Sequence, residues 1–227
     1  HLLLKIVDDI LDLSKIEAGK LELKFDFIET ASFFAEFANI FAFKTKEKGL
    51  RFFTEIDADT PPFLYVDETR LRQVIINLVG NAVKFTEEGF VKLKIHSPER
   101  KQIVYNEKRT EEVAELVIDI EDTGMGIPGE FLQDIFGSFV QVHHDNTLGG
   151  TGLGLPISQR LVGMMNGQIT VKSAIGEGST FTITLSEIPF LTSYNSIDHG
   201  NLMDPESVEF EKALILVVDD VEVNRRV

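Results

Sequence analysis

A run of apolar residues that ends in a carboxylate and two spaced glycines is the feature that most restricts the fold of this chain. Residues 116–120 predict a strand, and Asp122, Gly124 and Gly126 follow it. Glycine removes the side chain where another group must come close to the backbone. Pro128 suits the first turn of a helix, where its missing N–H costs no hydrogen bond. The segment therefore predicts a strand–loop–helix turn in which Asp122 offers a directional acceptor to a ligand.

Two other interpretations of this segment stay open from its own residues. The first is an ordinary strand-to-helix turn. The second is the carboxylate loop of an aspartic protease, which needs two such loops or a homodimer, whereas this sequence contains one Asp-Thr-Gly.

A long helix is predicted after Asp67, which suits the N-cap position. Asn77, Asn81 and Lys84 follow at spacings of four and three residues, so they share one face of this helix. Gly80 and Asn81 are poor residues for a helix interior. One interpretation is a pair of solvated amides. The other is a row of oxygens and one ammonium that faces a hard cation and phosphates.

A glycine-rich run, residues 149–154, precedes another predicted helix that Asn166 and Gly167 end. Glycines ahead of a helix N-terminus expose backbone N–H groups to an anion. The run is not a P-loop, because the lysine and hydroxyl that should follow are absent. It is not the dinucleotide fingerprint either, because a long loop and not a strand precedes it.

The remaining periodicities outline the other elements. Residues 1–19 predict a helix with two adjacent apolar stripes, which suits a four-helix bundle; a surface helix packed on its own domain is the alternative. Residues 31–48 predict a helix with Phe33, Phe34, Phe37, Ile40 and Phe41 on its apolar side. Residues 97–112 predict a long, polar hairpin loop between two neighbouring strands, and residues 187–210 a linker. The other predictions are a short helix at 130–136 and strands at 21–28, 51–56, 64–66, 90–95, 113–120, 167–171, 179–185 and 213–218.

Composition excludes some classes of function. The 227 residues carry a formal net charge of −15, which argues against a nucleic-acid partner. There is no cysteine, so disulfides and thiolate chemistry are excluded, which fits the cytoplasm. No apolar run approaches the roughly 20 residues of a membrane helix. The chain opens on His1 and not on Met, so we expect a fragment of a longer protein, whose membrane anchoring stays open.

The order of the motifs resembles the sensor histidine kinases of two-component systems. The N box is represented by Asn77 to Thr86 and the first glycine box by Asp122 to Ile127. The F box, second glycine box and third glycine box follow at residues 135–139, 149–155 and 176–181. Residues 6–19 resemble the second helix of that family's dimerisation hairpin. Residues 215–220 resemble the first strand of a receiver domain, which indicates a hybrid kinase.

The resemblance implies the family's fold and the division of the chain. The fold is an α/β (α+β) two-layer sandwich, in which a mixed sheet is faced by three helices and a dimerisation helix precedes it. The partial dimerisation helix takes residues 1–20, the ATP-binding catalytic domain 21–186, a linker 187–212 and a partial receiver domain 213–227.

The resemblance also implies the roles of individual residues toward ATP and Mg²⁺. Asp122 would accept a hydrogen bond from the adenine amine, and Asn81 would hold the metal with help from Asn77. Lys84 would face phosphate oxygens, with Asn77 and Lys84 as the catalytic pair. The further nucleotide-binding residues are Phe85, Gly124, Gly126, Ile127, Gly150, Thr151, Gly152, Leu153, Gly154 and Thr180. Phosphoryl transfer needs mainly positioning and charge neutralisation, which these groups can supply.

Partners follow from the same resemblance. The family moves the γ-phosphate of ATP to a histidine on the first dimerisation helix and then to an aspartate of a receiver or response regulator. His1 lacks the acidic and proline-containing surroundings of that histidine, and Asp219 and Asp220 match only the receiver's metal-binding acidic pair. We therefore expect this fragment to bind Mg-ATP without autophosphorylation, and the full-length protein to be a homodimer.

Two departures from the family pattern keep other functions open. Gly137 and Ser138 replace the usual middle pair of the F box, and the predicted lid, residues 137–150, has no Lys or Arg between Gln141 and Thr151. They motivate a nucleotide-sensing or scaffold module without transfer activity as the alternative. An ATPase of the gyrase, Hsp90 and MutL type is a further alternative; those relatives carry a glutamate base at the position of Asn77. Residues 143–145 are interpreted as solvated lid, since three adjacent residues converge poorly on one metal ion.

Overall fold

The computed structural model of the protein describes residues 2–106, 109–140 and 151–193. Its helices within these ranges are α1 (Leu2–Glu17), α2 (Thr30–Glu47), α3 (Glu68–Phe85) and α4 (Gly154–Met164), and a 3-10 turn spans Gly129–Phe131. Its strands are β1 (Asp26–Glu29), β2 (Arg51–Ile56), β3 (Phe63–Val66), β4 (Phe90–His96), β5 (Arg100–Asn106), β6 (Arg109–Asp122), β7 (Gly167–Ala174) and β8 (Gly178–Leu191).

The strands form one mixed sheet in the order β1-β3-β8-β6-β4-β2. β5 pairs with β6 and β7 pairs with β8 beside this path. β2 and β4 run parallel, with Arg51 opposite Phe90, whereas the other neighbours are antiparallel. The predicted mixed sheet is confirmed.

One face of the sheet is covered by helices. Val91, Leu93 and Ile95 of β4 are buried and alternate with partly exposed polar side chains, as expected of a strand with one covered face. α2, α3 and α4 contact strands of the sheet, which gives the predicted two-layer sandwich. Phe34 and Phe37 of α2 are fully buried, and each contributes about 1.5–3 kcal/mol through burial.

The apolar face of α1 is divided between two environments. Leu13 and Ile16 pack against the hydrophobic core, whereas Val7, Ile10 and Leu11 are 45, 47 and 51% exposed. The division thus runs along the helix and not between the two predicted stripes, since the exposed Ile10 shares a stripe with Leu13 and Ile16. The interpretation of α1 as part of a dimerisation bundle stays a prediction.

Polar contacts also join α1 to the domain that follows it. The Asp12 carboxylate accepts hydrogen bonds from Gln73 of α3 at 2.8 Å and from Arg70 at 3.4 Å. Glu17 accepts one from Arg160 of α4 at 2.8 Å. Acidic residues of α1 therefore face polar and basic residues of α3 and α4.

Four predictions about secondary-structure elements or their buried faces are wrong. Of residues 21–28 only 26–28 lie in a strand, because β1 pairs with β3 and that strand is four residues long. Residues 130–136 do not form an α-helix, since only the 3-10 turn precedes a run of turns. Ile40 is 45% exposed and lies off the buried face of α2. The region 97–112 is not a loop, because β5 and the start of β6 form a hairpin within it.

The predicted linker also begins too early. β8 continues through residues 187–191, and Phe190 and Leu191 pair with β3. The rest of the predicted linker beyond residue 193, the predicted receiver strand at 213–218, Asp219, Asp220, Gly150 and residues 143–145 lie outside the described residues. Within the described ranges, none of the helices combines the length and apolar character that crossing a membrane requires.

Candidate functional site

The polar face of α3 opens into a cavity of about 630 Å³. α3 begins where the Asp67 carboxylate accepts the Arg70 backbone N–H at 2.9 Å, which satisfies one of the free N–H groups of the first turn. Its buried side packs into the core, which turns Asn77, Asn81 and Lys84 to the cavity wall. The common face predicted from their spacing is present in the structure.

Asn77 is held from the opposite side of the cavity. Its Nδ2 donates to the Ser158 hydroxyl of α4 at 3.0 Å. A side chain at Gly154 would overlap the Asn77 amide, so glycine at this position allows α3 and α4 to approach. The amide of Asn77 therefore has a fixed position between the two helices.

Asp122 lies at the end of β6 and is 6% exposed. Its Oδ1 accepts the Gly124 backbone N–H at 2.8 Å, and both the backbone N–H and the hydroxyl of Ser179 donate to the carboxylate. Burial raises the pKa of Asp122 above its usual value, and these three donors oppose the shift. The result is an oriented acceptor in the wall of the cavity.

The two glycines after Asp122 are required by the protein's own backbone. A Cβ at Gly124 would lie 2.6 Å from the Phe85 carbonyl oxygen. Gly126 has a φ of +73°, and a Cβ there would overlap the carbonyl of Ala174. The Met125 N–H donates to the Phe85 carbonyl at 3.3 Å, which ties the loop to the end of α3. Gly126 and Ile127 line the cavity, whereas Gly124 lies behind its wall.

The second glycine run supplies the cavity wall in front of α4. Thr151, Gly152 and Gly154 line the cavity, and the Thr151 hydroxyl accepts the Leu153 N–H at 3.1 Å. Leu153 is fully buried and does not line it. The backbone N–H groups at the start of α4 carry partial positive charge, which favours an anion.

Thr180 does not belong to the cavity wall, contrary to the sequence prediction. Ser179 and Phe181 line the cavity instead, because successive side chains of a strand point to opposite faces. Thr180 pairs with Glu121 and Lys172 across the sheet. The alternation of Phe181, Ile183 and Leu185 with threonines contained the signal that would have identified the correct face.

Several residues of the cavity wall were not predicted. Phe85 lines it as predicted. Asp9 of α1, Phe41, Lys44 and Glu47 of α2, and Lys48 directly after α2 line it as well. The sequence held a signal for the lysines, since they continue the buried stripe of α2 at spacings of three and four residues. Asp9 had no comparable signal, because its approach depends on how α1 packs.

The charges around the cavity suit an anionic ligand that carries its own cation. Lys84, Lys44 and Lys48 supply positive charge, Asp9, Glu47 and Asp122 supply negative charge, and Asn77 and Asn81 supply neutral oxygen ligands. Among the described residues, no group of three or more His, Asp or Glu side chains is arranged to hold a metal ion. A metal ion here would take most of its ligands from the bound molecule and from water, as Mg²⁺ does when it binds with phosphates.

Comparison with known proteins agrees with this geometry. Residues 66–189 match the family described as "Histidine kinase-, DNA gyrase B-, and HSP90-like ATPase". The chain is 36% identical over 222 residues to the aerobic respiration control sensor protein ArcB of Escherichia coli, an alignment that covers 96% of this chain and 26% of the relative. It is also 36% identical over 208 residues to the hybrid signal transduction histidine kinase L of Dictyostelium discoideum, covering 90% of this chain and 11% of the relative.

A solved structure shows the same likeness. The crystal structure of full-length ShkA in complex with AMPPNP matches with a TM-score of 0.69 and 28% identity, over 84% of this chain and 37% of that chain. The chain thus spans about a quarter or less of the length of the two sequence relatives. On these grounds the chain belongs to the family of histidine kinase-, DNA gyrase B- and HSP90-like ATPases.

Proposed function

We propose that this domain binds Mg-ATP in the cavity between α3, α4 and the Asp122 loop, and presents the γ-phosphate to a histidine of the dimerisation domain. The observation that carries the proposal is that residues from three separate motifs line a single cavity. Asn81 and Lys84 come from α3, Asp122 from β6, and Gly152 and Gly154 from the second glycine run.

Asp122 is the proposed adenine-binding residue. Its carboxylate is buried and already oriented by the Gly124 N–H and by Ser179. An acceptor that is fixed in advance loses little entropy when it binds the adenine amine. Met125, Gly126, Ile127 and Phe181 provide apolar and backbone surface beside it for the base.

The phosphates are proposed to lie between α3 and the start of α4. The Lys84 ammonium lies 4.4 Å from the centre of the Phe85 ring, a cation–π contact that places its charge at the wall. The N–H groups near Gly152 and Gly154 would face the phosphate oxygens from the other side. Gly150 belongs to the same proposed group.

Asn81 is the proposed protein ligand of Mg²⁺. Asn77, one helical turn earlier, is proposed to assist by contacting the metal ion or a water molecule. Amide oxygens are suitable ligands for this hard cation. Mg²⁺ bound with ATP would neutralise phosphate charge during transfer. Asp219 and Asp220 remain proposed metal ligands of a receiver domain.

A histidine acceptor fits the site better than water does. The Asn77 side chain is a neutral amide fixed by Ser158, and an amide cannot take a proton from water at neutral pH. A histidine imidazole carries its own lone pair and needs no such base. This favours kinase activity over an ATPase of the gyrase type, in which a carboxylate activates water.

The proposed partners follow from α1. Its exposed residues Val7, Ile10 and Leu11 offer an apolar surface to the histidine-bearing helix and to a second copy in a homodimer. A receiver domain in the same protein, or a separate response regulator, would take the phosphoryl group from that histidine and complete a phosphorelay. We propose that the domain works in the cytoplasm, where ATP is available, and that the whole protein is a hybrid sensor kinase.

The direct test is Mg-ATP binding by titration calorimetry. We expect Asp122→Asn to lose affinity for ATP and adenosine alike, and Asn81→Ala to lose the dependence on Mg²⁺. Lys84→Met should weaken the binding of ATP but not the binding of adenosine. Thr180→Ala, which alters a predicted residue outside the cavity, is the matched control. If wild type binds neither ATP nor ADP at millimolar concentration, the proposal is wrong and a scaffold without nucleotide binding becomes the better interpretation.

Transfer is tested separately. A histidine-bearing dimerisation hairpin supplied with the domain and labelled ATP should acquire acid-labile phosphate. Rapid hydrolysis of ATP by the domain in the absence of that hairpin would contradict the kinase assignment.

A further inference from the structure

Lys48 is fixed at the end of α2 by a tight helix stop. Gly49 has a φ of +68°, a conformation that glycine adopts readily. The Gly49 N–H donates to the Lys46 carbonyl at 3.1 Å, and the Leu50 N–H donates to the Thr45 carbonyl at 2.8 Å. These bonds satisfy the last carbonyls of α2 in the manner of a Schellman motif. The backbone of Lys48 therefore has a defined position from which its side chain extends.

The Lys48 side chain extends to the end of a different helix, α3. Its ammonium donates to the carbonyl oxygens of Val83 at 2.8 Å, Lys84 at 2.9 Å and Thr86 at 3.1 Å. A lysine ammonium has three N–H donors, and all three acceptors are main-chain carbonyls of one turn. The last carbonyls of a helix have no partner within the helix, and the negative end of its dipole attracts a cation.

The other carbonyls of that turn are also occupied. The Ala82 carbonyl accepts from the Thr86 N–H at 3.1 Å and from the Thr86 hydroxyl at 2.7 Å. The Phe85 carbonyl accepts from Met125 of the glycine loop at 3.3 Å. The end of α3 is thus held by α2 on one side and by the loop after Asp122 on the other.

This turn carries two of the residues proposed to bind nucleotide. Lys84 and Phe85 both line the cavity, and their backbone is the segment that Lys48 holds. We propose that Lys48 is a positioning residue of the nucleotide site, which keeps the last turn of α3 in the geometry that Lys84 and Phe85 need. The proposal rests on the proposed binding of ATP and extends it to a residue outside the family motifs of the sequence.

Lys48 acts through the backbone in this account and not as a phosphate ligand. Its three donors are occupied by carbonyls, even though its side chain forms part of the cavity wall. The distinction is measurable. A positioning residue affects the nucleotide-free protein, whereas a direct phosphate ligand affects only the complex.

The test compares Lys48→Met, Lys48→Arg and Lys46→Met in two measurements. Lys46→Met is the matched control, since Lys46 is an exposed lysine of the same helix that does not line the cavity. The first measurement is the Kd for Mg-ATP by calorimetry. The second is amide hydrogen exchange of Phe85 and Thr86 in the nucleotide-free protein.

We expect Lys48→Met to raise the Kd about tenfold, since it removes charged hydrogen bonds, and to accelerate exchange at Phe85 and Thr86. Lys48→Arg should restore both values to within about threefold, because a guanidinium also offers several donors. Lys46→Met should match wild type in both.

Two results would overturn the proposal. If Lys48→Met binds ATP as tightly as wild type, Lys48 has no role in the site. If it loses affinity while exchange at Phe85 and Thr86 is unchanged, Lys48 contacts the phosphates directly. Wild type that binds no nucleotide would refute the proposed function itself. The exchange measurement needs no ligand, so it would then still show whether Lys48 holds the turn.

Discussion

The Thr151 hydroxyl of the second glycine run donates a hydrogen bond to the Asp9 carboxylate of α1, with 3.3 Å between Oγ1 and Oδ2. Both residues line the cavity. A negative charge from α1 therefore lies beside the N–H groups that we propose as phosphate ligands. Because like charges repel, α1 in this position and a bound triphosphate oppose each other.

Removing this charge should strengthen ATP binding. We expect Asp9→Asn to lower the Kd for ATP about threefold, a change of the size given by one partly screened charge, and to leave the Kd for adenosine unchanged. Calorimetry at low and high NaCl measures both, and the gain should shrink as salt screens the charge. Asp12→Asn, which changes a carboxylate of α1 outside the cavity, is the control. A weaker affinity for ATP in Asp9→Asn would instead indicate that Asp9 supports the metal ion.

Adjacent residues of β8 provide a second test. Ser179 lines the cavity and donates to Asp122, whereas Thr180 faces away from it. We expect Ser179→Ala to raise the Kd for ATP about fivefold, because one of the hydrogen bonds that orient Asp122 is lost. Thr180→Ala should bind ATP like wild type. If the two variants lose affinity for ATP equally, the cavity wall formed by β8 does not contact the adenine.

The parts of the site that the sequence predicted are those fixed by local rules. The cap at Asp67 and the spacing of Asn77, Asn81 and Lys84 determine a helix and one of its faces, whatever packs around it. The order of the motifs then indicated which segments meet. The structure was needed to show that these segments line one cavity.

The parts that were missed depend on distant contacts. β5 forms only because it pairs with the first half of β6, so its polar composition gave no strand signal. Asp9 reaches the cavity through the packing of α1, which no spacing within that helix specifies. Gly124 was expected to make room for a ligand, whereas the Phe85 carbonyl already occupies the space that its side chain would take.

The raised pKa of Asp122 gives a pH dependence of stability. Its pKa lies above its usual 3.8 because the carboxylate is buried, so the folded state binds its proton more tightly than the unfolded state does. This stabilising contribution is complete below the usual pKa and is lost as the pH rises through the raised value. Without nucleotide, the free energy of unfolding of wild type relative to Asp122→Asn should therefore fall as the pH rises above about 3.8.

Urea unfolding at a series of pH values measures this difference. Asp134→Asn, which removes an exposed carboxylate outside the cavity, gives the baseline for a simple loss of charge. If the free energy of unfolding of wild type relative to that of Asp122→Asn instead rises with pH, the pKa of Asp122 is not raised in the folded state.

Gly80 and Gly126 should respond to alanine in opposite ways. A Cβ at Gly80 meets nothing within 4 Å, so Gly80→Ala should raise the free energy of unfolding by about 1 kcal/mol through helix propensity. A Cβ at Gly126 would overlap the Ala174 carbonyl in a backbone with positive φ. Gly126→Ala should therefore destabilise by more than about 1 kcal/mol.

Thermal and urea unfolding of the two variants test this pair. Destabilisation by Gly80→Ala would contradict the open space seen beside α3. Gly80 also lines the cavity, so the Kd for ATP in the same variant shows whether the nucleotide reaches this turn.

The position of β8 has a consequence for the synthesis of the protein. β8 is the last of the described strands in sequence, yet it lies between β3 and β6 and joins them. Before the ribosome has added it, the β1–β3 pair and the ribbon of β2, β4, β6 and β5 share no strand pairing. A nascent chain that stops short of residue 178 leaves the edges of β3 and β6 open, and open edges promote aggregation. Interrupted translation of this domain should therefore yield products that depend on chaperones or are degraded, and ATP binding should appear only once β8 has been released.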